Sequence, residues 1–164
     1  MQRRGSLSQS EIVTFLEGAT IPVRLGCRTP EDNLWMCSLW FRLVDADGDP
    51  IGAESATDRE DWTLQCATSA QADIVSFLEH DSGVSFEVST NDPPYAGVRG
   101  RGSVSIDPDP EKETLRALLE RYLEDTESGL AQSLLDDGRD EVTITVDPAV
   151  VYGWDFSDRM RDTQ

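Results

Sequence analysis

Apolar positions recur with two different periods along this chain, and the switches between them outline its elements. Ile12, Val13, Phe15 and Leu16 keep helical spacing behind Ser8-Gln-Ser-Glu11. That string is a capping box, in which a serine hydroxyl and a glutamate carboxylate each satisfy an amide at the helix start. The spacing predicts a helix ending near Gly18. Residues 21–28 then read as a strand, 29–33 as a turn and 34–44 as the return strand. Further strands are expected at 61–67, 84–89, 97–106 and 141–146. Between them, Thr68 or Ser69 is placed to cap a helix running to Glu79, with Ala70, Ile74, Phe77 and Leu78 on one face. Asp107-Pro-Asp-Pro110 opens a helix with Leu115, Leu118, Leu119 and Tyr122 on one stripe, and 130–135 is a second helical piece. Residues 148–156 read as an extended tail.

The segment 34–44 is apolar on both faces. One face carries Trp35, Cys37, Leu39, Phe41 and Leu43; the other carries Leu34, Met36, Ser38, Trp40 and Arg42. Such a strand needs two covers, for example a barrel interior and a second subunit. The order of elements, without regular strand–helix–strand units, excludes a Rossmann arrangement. It implies one domain over residues 1–164: a mainly β, six-stranded small closed barrel with peripheral helices. Residues 1–7 are expected as a disordered arm and 157–164 as a tail.

A second unusual segment is Asn91-Asp-Pro-Pro-Tyr-Ala-Gly-Val-Arg-Gly-Arg-Gly-Ser-Val104. A rigid Pro-Pro turn leads into a strand that alternates glycine with arginine. Strand glycines let another backbone or a flat ligand approach closely, here with Arg99 and Arg101 beside it.

Charge narrows the function classes. The chain holds 32 acidic residues against 14 basic, a net charge of −18, and Lys112 is the only lysine. Nucleic-acid and anionic-lipid partners are excluded, because both are bound through cations that neutralise phosphate. The acids are spread along the chain, and in molar salt the Debye length falls to about 3 Å, which screens their mutual repulsion. This pattern is expected of a halophilic protein. The longest apolar runs are too short to span a bilayer, and no apolar run follows the basic N-terminus, so a cytoplasmic location is expected.

Candidate metal and nucleophile sites are few. Cys27, Cys37 and Cys66 lack ligand spacing and lie in apolar contexts, so they read as core, and His80 is the only histidine. Zinc is not expected, nor is Ser-His-Asp or Cys-His catalysis. Asp45, Asp47 and Asp49 match the opening of a calcium loop, but Pro50 and Ala56 stand where that loop needs its glycine and bidentate glutamate. Residues 45–60 therefore read as an acidic surface loop.

Several strings, in this order and spacing, resemble the pyridoxamine 5′-phosphate oxidase-related, FMN-binding split-barrel family. They are Phe15-Leu16, Ser38-Leu-Trp-Phe41, Leu64-Gln-Cys-Ala-Thr-Ser69, Phe77-Leu78, Pro94-Tyr-Ala-Gly-Val-Arg-Gly-Arg-Gly102 and Val151-Tyr-Gly-Trp-Asp155. The resemblance spans residues 8–156. It implies a homodimeric split β-barrel holding flavin mononucleotide, or a deazaflavin coenzyme, in the cleft between subunits.

The same resemblance implies the site residues. Ser38 and Trp40 would line the ring, and Thr68, Ser69 and Gln71 would lie near the phosphate. Arg99 and Arg101 would stabilise negative charge, and Trp154 would approach from the partner's tail. One departure matters: where the family carries an Arg-Lys pair on the phosphate, this chain has Asp73 and Ile74. Losing two charge-assisted contacts of about 1.5–3 kcal/mol each would weaken binding by about 10²- to 10⁴-fold. Two functions follow: a flavin-dependent oxidoreductase, with its catalytic residues and substrate undefined, or a non-catalytic split-barrel dimer that binds another small molecule or none.

Overall fold

The computed structural model describes residues 1–52, 61–123, 126–136 and 138–160. In chain order the elements are β1 (Gln2–Gly5), α1 (Gln9–Gly18), β2 (Val23–Arg28), β3 (Leu34–Leu39), β4 (Arg42–Val44), β5 (Thr63–Ser69) and α2 (Asp73–His80). They continue with β6 (Gly83–Ser89), β7 (Ala96–Pro108), α3 (Glu113–Tyr122), α4 (Gly129–Leu134), β8 (Glu141–Asp155) and α5 (Ser157–Met160).

The helix starts follow local chemistry. At α1 the capping box is complete: Ser8 Oγ accepts from the Glu11 amide at 3.3 Å, and Glu11 Oε2 accepts from the Ser8 amide at 2.7 Å. The α1 carbonyls at the other end have no basic residue in their own last turn. Arg121 of α3 supplies the missing donors instead, reaching Leu16 O at 3.1 Å and Ala19 O at 2.8 Å. At α3 the Asp109 carboxylate accepts from the amides of Glu113 and Thr114 at 2.9 and 3.0 Å. At α2 the expectation fails: the cap position is Ala72, with no side-chain cap. Ser69 Oγ instead accepts from the Gln71 amide at 3.3 Å, which spends the serine on the turn before the helix.

Eight strands form one sheet in the order β3-β2-β6-β7-β8-β5-β4, with β1 parallel to β8. This corrects the expected six. Gln2–Gly5, placed in a disordered arm by the sequence, forms β1, and 34–44 divides into two strands that pair with different neighbours. β3 lies beside β2, whereas β4 lies beside β5. The two ends of the sheet path are therefore consecutive in sequence, separated by Trp40 and Phe41. The sheet must curl until its edges approach, yet among the described residues no ladder joins β3 to β4. The barrel is split, not closed.

The expected tail is also strand. β8 runs through Pro148 to Asp155, pairing with β5 over its first half and with β1 over its second, and with β7 along nearly all of its length. A register shift at Arg101/Gly102 absorbs the extra residue. Ser157–Met160, expected as tail, is a short helix.

The interior is filled by Leu25, Phe41, Leu64, Val88, Val98, Ile144 and Val151, all fully buried, with α1 contributing Ile12, Val13 and Leu16. Ile74, Val75 and Leu78 of α2 join the same cluster. Full burial of one such side chain contributes about 1.5–3 kcal/mol. A smaller cluster lies under α3 and α4, where Leu115, Leu119 and Ala131 pack with Trp40 and Ala67. Cys27 and Cys66 are buried, and Cys37 packs partly buried against the core. Burial pushes the Cys66 thiol up strongly and the Cys37 thiol up to about 11. Neither is a ready nucleophile at neutral pH.

The 45–60 loop is described only to residue 52. There the Asp45 carboxylate accepts from the amides of Asp47 and Asp49, at 3.0 and 2.9 Å, forming a local turn. Ala56 lies outside the described residues.

Candidate ligand-binding site

Strand alternation and register assemble a site on the outer face of the sheet. Residues opposite one another on neighbouring strands share a face. One row across six strands reads Ser38, Arg24, Glu87, Arg99, Tyr152 and Arg4. The next row on that face reads Met36, Gly26, Ser85, Arg101, Val150 and Gln2. Two cavities lie over these rows, of about 550 and about 950 Å³, and share Gly26, Met36, Ser85 and Arg101. Each is within the size range that holds small molecules, and their shared residues make them one continuous trough.

The trough has two characters. Its smaller part is lined by Arg4, Arg24, Arg99 and Arg101, with Glu87 as the only acidic lining residue. In a chain of net charge −18, this is a local reversal of sign. Its larger part meets Leu34, Trp35 and Met36 of the edge strand β3, together with Arg28, Arg101 and Asp81. Leu34 is 82% exposed and Met36 67%. The expected second cover for this strand does not come from any of the described residues.

The four arginines are not equivalent. Arg24 donates to Ser89 Oγ at 3.1 Å and to Asn91 Oδ1 at 2.8 Å, and lies 3.9 Å from Glu87. The Arg99 guanidinium sits 4.7 Å above the Trp154 ring and 5.3 Å from that of Tyr152, with Glu87 at 4.0 Å. Stacking of this kind contributes about 0.5–1 kcal/mol at exposed sites. Arg101 is exposed and has no hydrogen-bond, ion-pair or ring partner among the described residues.

Two glycines of β7 seat the chain's own aromatics. A Cβ on Gly97 would meet the Trp154 ring at 2.5 Å, and one on Gly100 would meet Phe86 at 2.6 Å. The close backbone approach expected of these glycines is present too, because a Cβ on Gly102 would lie 2.0 Å from Asp147 O of β8 and one on Gly100 2.5 Å from Val150 O. Trp154 lies in β8, only 8% exposed, with the Arg99 guanidinium over its ring.

Of the residues expected to form the site, Ser38, Arg99, Arg101 and Trp154 share the outer face. Trp40 does not: its ring stacks on Tyr122 at 5.1 Å within the α3–α4 cluster. Thr68, Ser69 and Gln71 lie at the far end of β5, where Thr68 is opposite Val142. Arg101 is opposite Val150. Eight residues of strand separate those rungs, up to about 25 Å within one protomer. Asp73 is exposed beside them and Ile74 is buried in the core.

Arg4, Arg24, Gly26, Glu87 and Tyr152 were not expected in the site. A signal for Arg24 and Gly26 was present in Val23-Arg-Leu-Gly-Cys-Arg28, whose alternation puts Arg24, Gly26 and Arg28 on one face. Among the described residues no cluster of His, Cys, Asp or Glu could hold a metal, and no described helix is long and apolar enough to cross a membrane.

The fold as a whole is shared with solved structures. The chain is similar to the conserved hypothetical protein Rv2991 from Mycobacterium tuberculosis, with 20% identity and a TM-score of 0.68 over 94% of this chain and 89% of that one. The chain has the fold of the pyridoxamine 5′-phosphate oxidase-related split barrels. A structure named F420 reductase matches this split barrel with 20% identity and a TM-score of 0.58, over 83% of this chain and 92% of that one. A Listeria innocua protein assigned as a pyridoxamine 5′-phosphate oxidase has 13% identity and a TM-score of 0.57, over 91% and 98%. No family model and no curated protein matches the chain.

Proposed function

We propose that the trough holds a flavin-type cofactor, FMN or a deazaflavin coenzyme, and that the protein is an oxidoreductase acting as a homodimer in the cytoplasm of a halophile. The observation that carries this reading is a set of four arginines, Arg4, Arg24, Arg99 and Arg101, lining one part of a trough whose other part is bordered by Leu34, Trp35 and Met36 of β3. A flavin nucleotide offers a matching pair of parts, an anionic phosphate for the arginines and a flat, largely apolar ring for the β3 side chains. The donor set fits such a group even though Asp73 and Ile74 replace the cations of the resemblance, because the arginines lie on β1, β2 and β7 instead. The names of the structural neighbours point to the same chemistry.

In this reading Arg4, Arg24, Arg99 and Arg101 face the anionic part, and Met36 and Leu34 the ring. When bound, the cofactor would supply hydride or electron transfer. The chain's part is to bind, orient and exclude water. Arg99, fixed on Tyr152 and Trp154, keeps positive charge beside the trough. Leu34 and Met36 shed their exposure when a second copy covers β3, which removes water from the same surface. Thr68, Ser69 and Gln71 would then meet the cofactor only across the dimer.

The second reading is a split-barrel dimer that binds another small molecule without catalysis. The separation of Thr68 from Arg101 by eight rungs of β8, about 25 Å along the strand, and from Arg99 and Arg4 by ten, favours it. Adding flavin mononucleotide to the purified protein in molar salt separates the two. A complex absorbing near ~450 nm, with a micromolar or tighter dissociation constant, supports the cofactor reading. No binding at high micromolar concentration leaves the second.

A further inference from the structure

We infer that Arg4 and Arg101 form an anion subsite for a phosphate monoester at the β1–β8–β7 end of the trough; the inference rests on reading the trough as the ligand site. Four arginines line this cavity, but two of them are already committed. Arg24 is held by Ser89 and Asn91, and Arg99 by the Tyr152 and Trp154 rings with Glu87 nearby. An incoming anion would have to compete with those contacts. Arg101 has no partner among the described residues, and Arg4 donates only to its neighbour Gln2, at 3.2 Å. Both are exposed. Arg101 exchanges only water for a ligand, and Arg4 gives up at most one exposed contact with Gln2.

Register brings the pair together. Arg4 is opposite Tyr152, Arg101 is opposite Val150, and β1 and β7 flank β8 on either side. Two strand spacings and two residues along the strand put their backbones about 12 Å apart. Two long side chains on one face close that distance over Val150, which carries no charge. The cavity's only carboxylate, Glu87, lies on the other side of Arg99. Two forked guanidiniums without a competing acid match a dianion with several acceptor oxygens. β1 thereby gains a role: it delivers Arg4 to the site.

The test uses phenyl phosphate, flavin mononucleotide and riboflavin as probes, titrated at constant ionic strength by calorimetry. Arg4→Gln and Arg101→Gln are each expected to weaken phenyl phosphate and flavin mononucleotide by about tenfold to a hundredfold. Riboflavin, which lacks the phosphate, is expected to bind all variants alike, and Arg101→Lys is expected to retain part of the affinity. Neither side chain holds the fold together, so melting temperatures should match the wild type and confirm that the variants are folded. Phenyl phosphate binding equally to wild type, Arg4→Gln and Arg101→Gln, or not binding the wild type, overturns the subsite. If phenyl phosphate binding depends on both arginines while no flavin binds, the subsite stands and the cofactor reading falls. If flavin mononucleotide binds and neither substitution weakens it, the subsite falls and the cofactor reading stands.

Discussion

Tyr122 Oη accepts from the Phe41 amide at 3.2 Å and donates to the Phe41 carbonyl at 3.3 Å. One hydroxyl thus serves both backbone groups of the residue at which the sheet splits. Phe41 leaves the β3 ladder before β4 joins its own, so its amide and carbonyl have no strand partner there. Its side chain is fully buried. Unpaired backbone groups in such a place are costly. The phenol from α3 removes that cost and stacks on Trp40 as it does so.

Tyr122→Phe keeps the ring and removes the hydroxyl. It is expected to destabilise the protein by about 1–3 kcal/mol, the cost of leaving buried polar groups unsatisfied, as read from urea unfolding. The pH dependence has a definite sign. Burial, opposed in part by the Phe41 hydrogen bond, holds this hydroxyl above the usual tyrosine range. An unfolded tyrosine loses its proton near pH ~10; the folded one loses it later. The contribution is therefore complete below the unfolded value and declines as pH rises toward the folded one. Wild-type stability should fall more steeply than that of Tyr122→Phe above pH ~10.

Gly97→Ala tests the packing of Trp154. A Cβ there would lie 2.5 Å from the indole and 2.8 Å from Ser89 Cβ. The expected loss is about 1–3 kcal/mol, as for other overpacked sites, with a shift in tryptophan fluorescence as the ring moves. Gly18→Ala, where nothing lies within 4 Å, should be neutral or slightly stabilising. Equal effects at the two positions would refute the claim that Gly97 exists to seat Trp154.

Most elements were legible because local chemistry fixed them: the Ser8 capping box, the turn at 29–33 and the apolar alternation of β5 and β6. The division of 34–44 was not legible. Its apolar residues run on without a turn signal, and the break at Trp40–Phe41 depends on a hydroxyl 81 residues away in sequence. The course of β8 past Pro148 was hidden for a similar reason. Proline usually ends a strand, and here a register shift beside it lets pairing continue. The site was half legible. Arg99 and Arg101 stood out by sequence, but their neighbours Arg24, Glu87 and Arg4 come from three other strands, and only the register places them together.

The charge leads to a separate expectation. With a net charge of −18, self-repulsion should weaken the fold in dilute buffer and be screened in molar salt. The melting temperature should rise between about 0.1 M and about 3 M potassium chloride, with loss of cooperative folding on dilution. Equal melting temperatures would remove the halophilic reading without touching the fold.

The most direct measurement is a crystal structure of the protein with flavin mononucleotide bound. The account predicts the phosphate beside Arg101 and the ring over the surface formed by Gly26, Ser85 and Met36. Flavin held instead at the Thr68–Gln71 junction of its own protomer, away from every arginine of the trough, would contradict it.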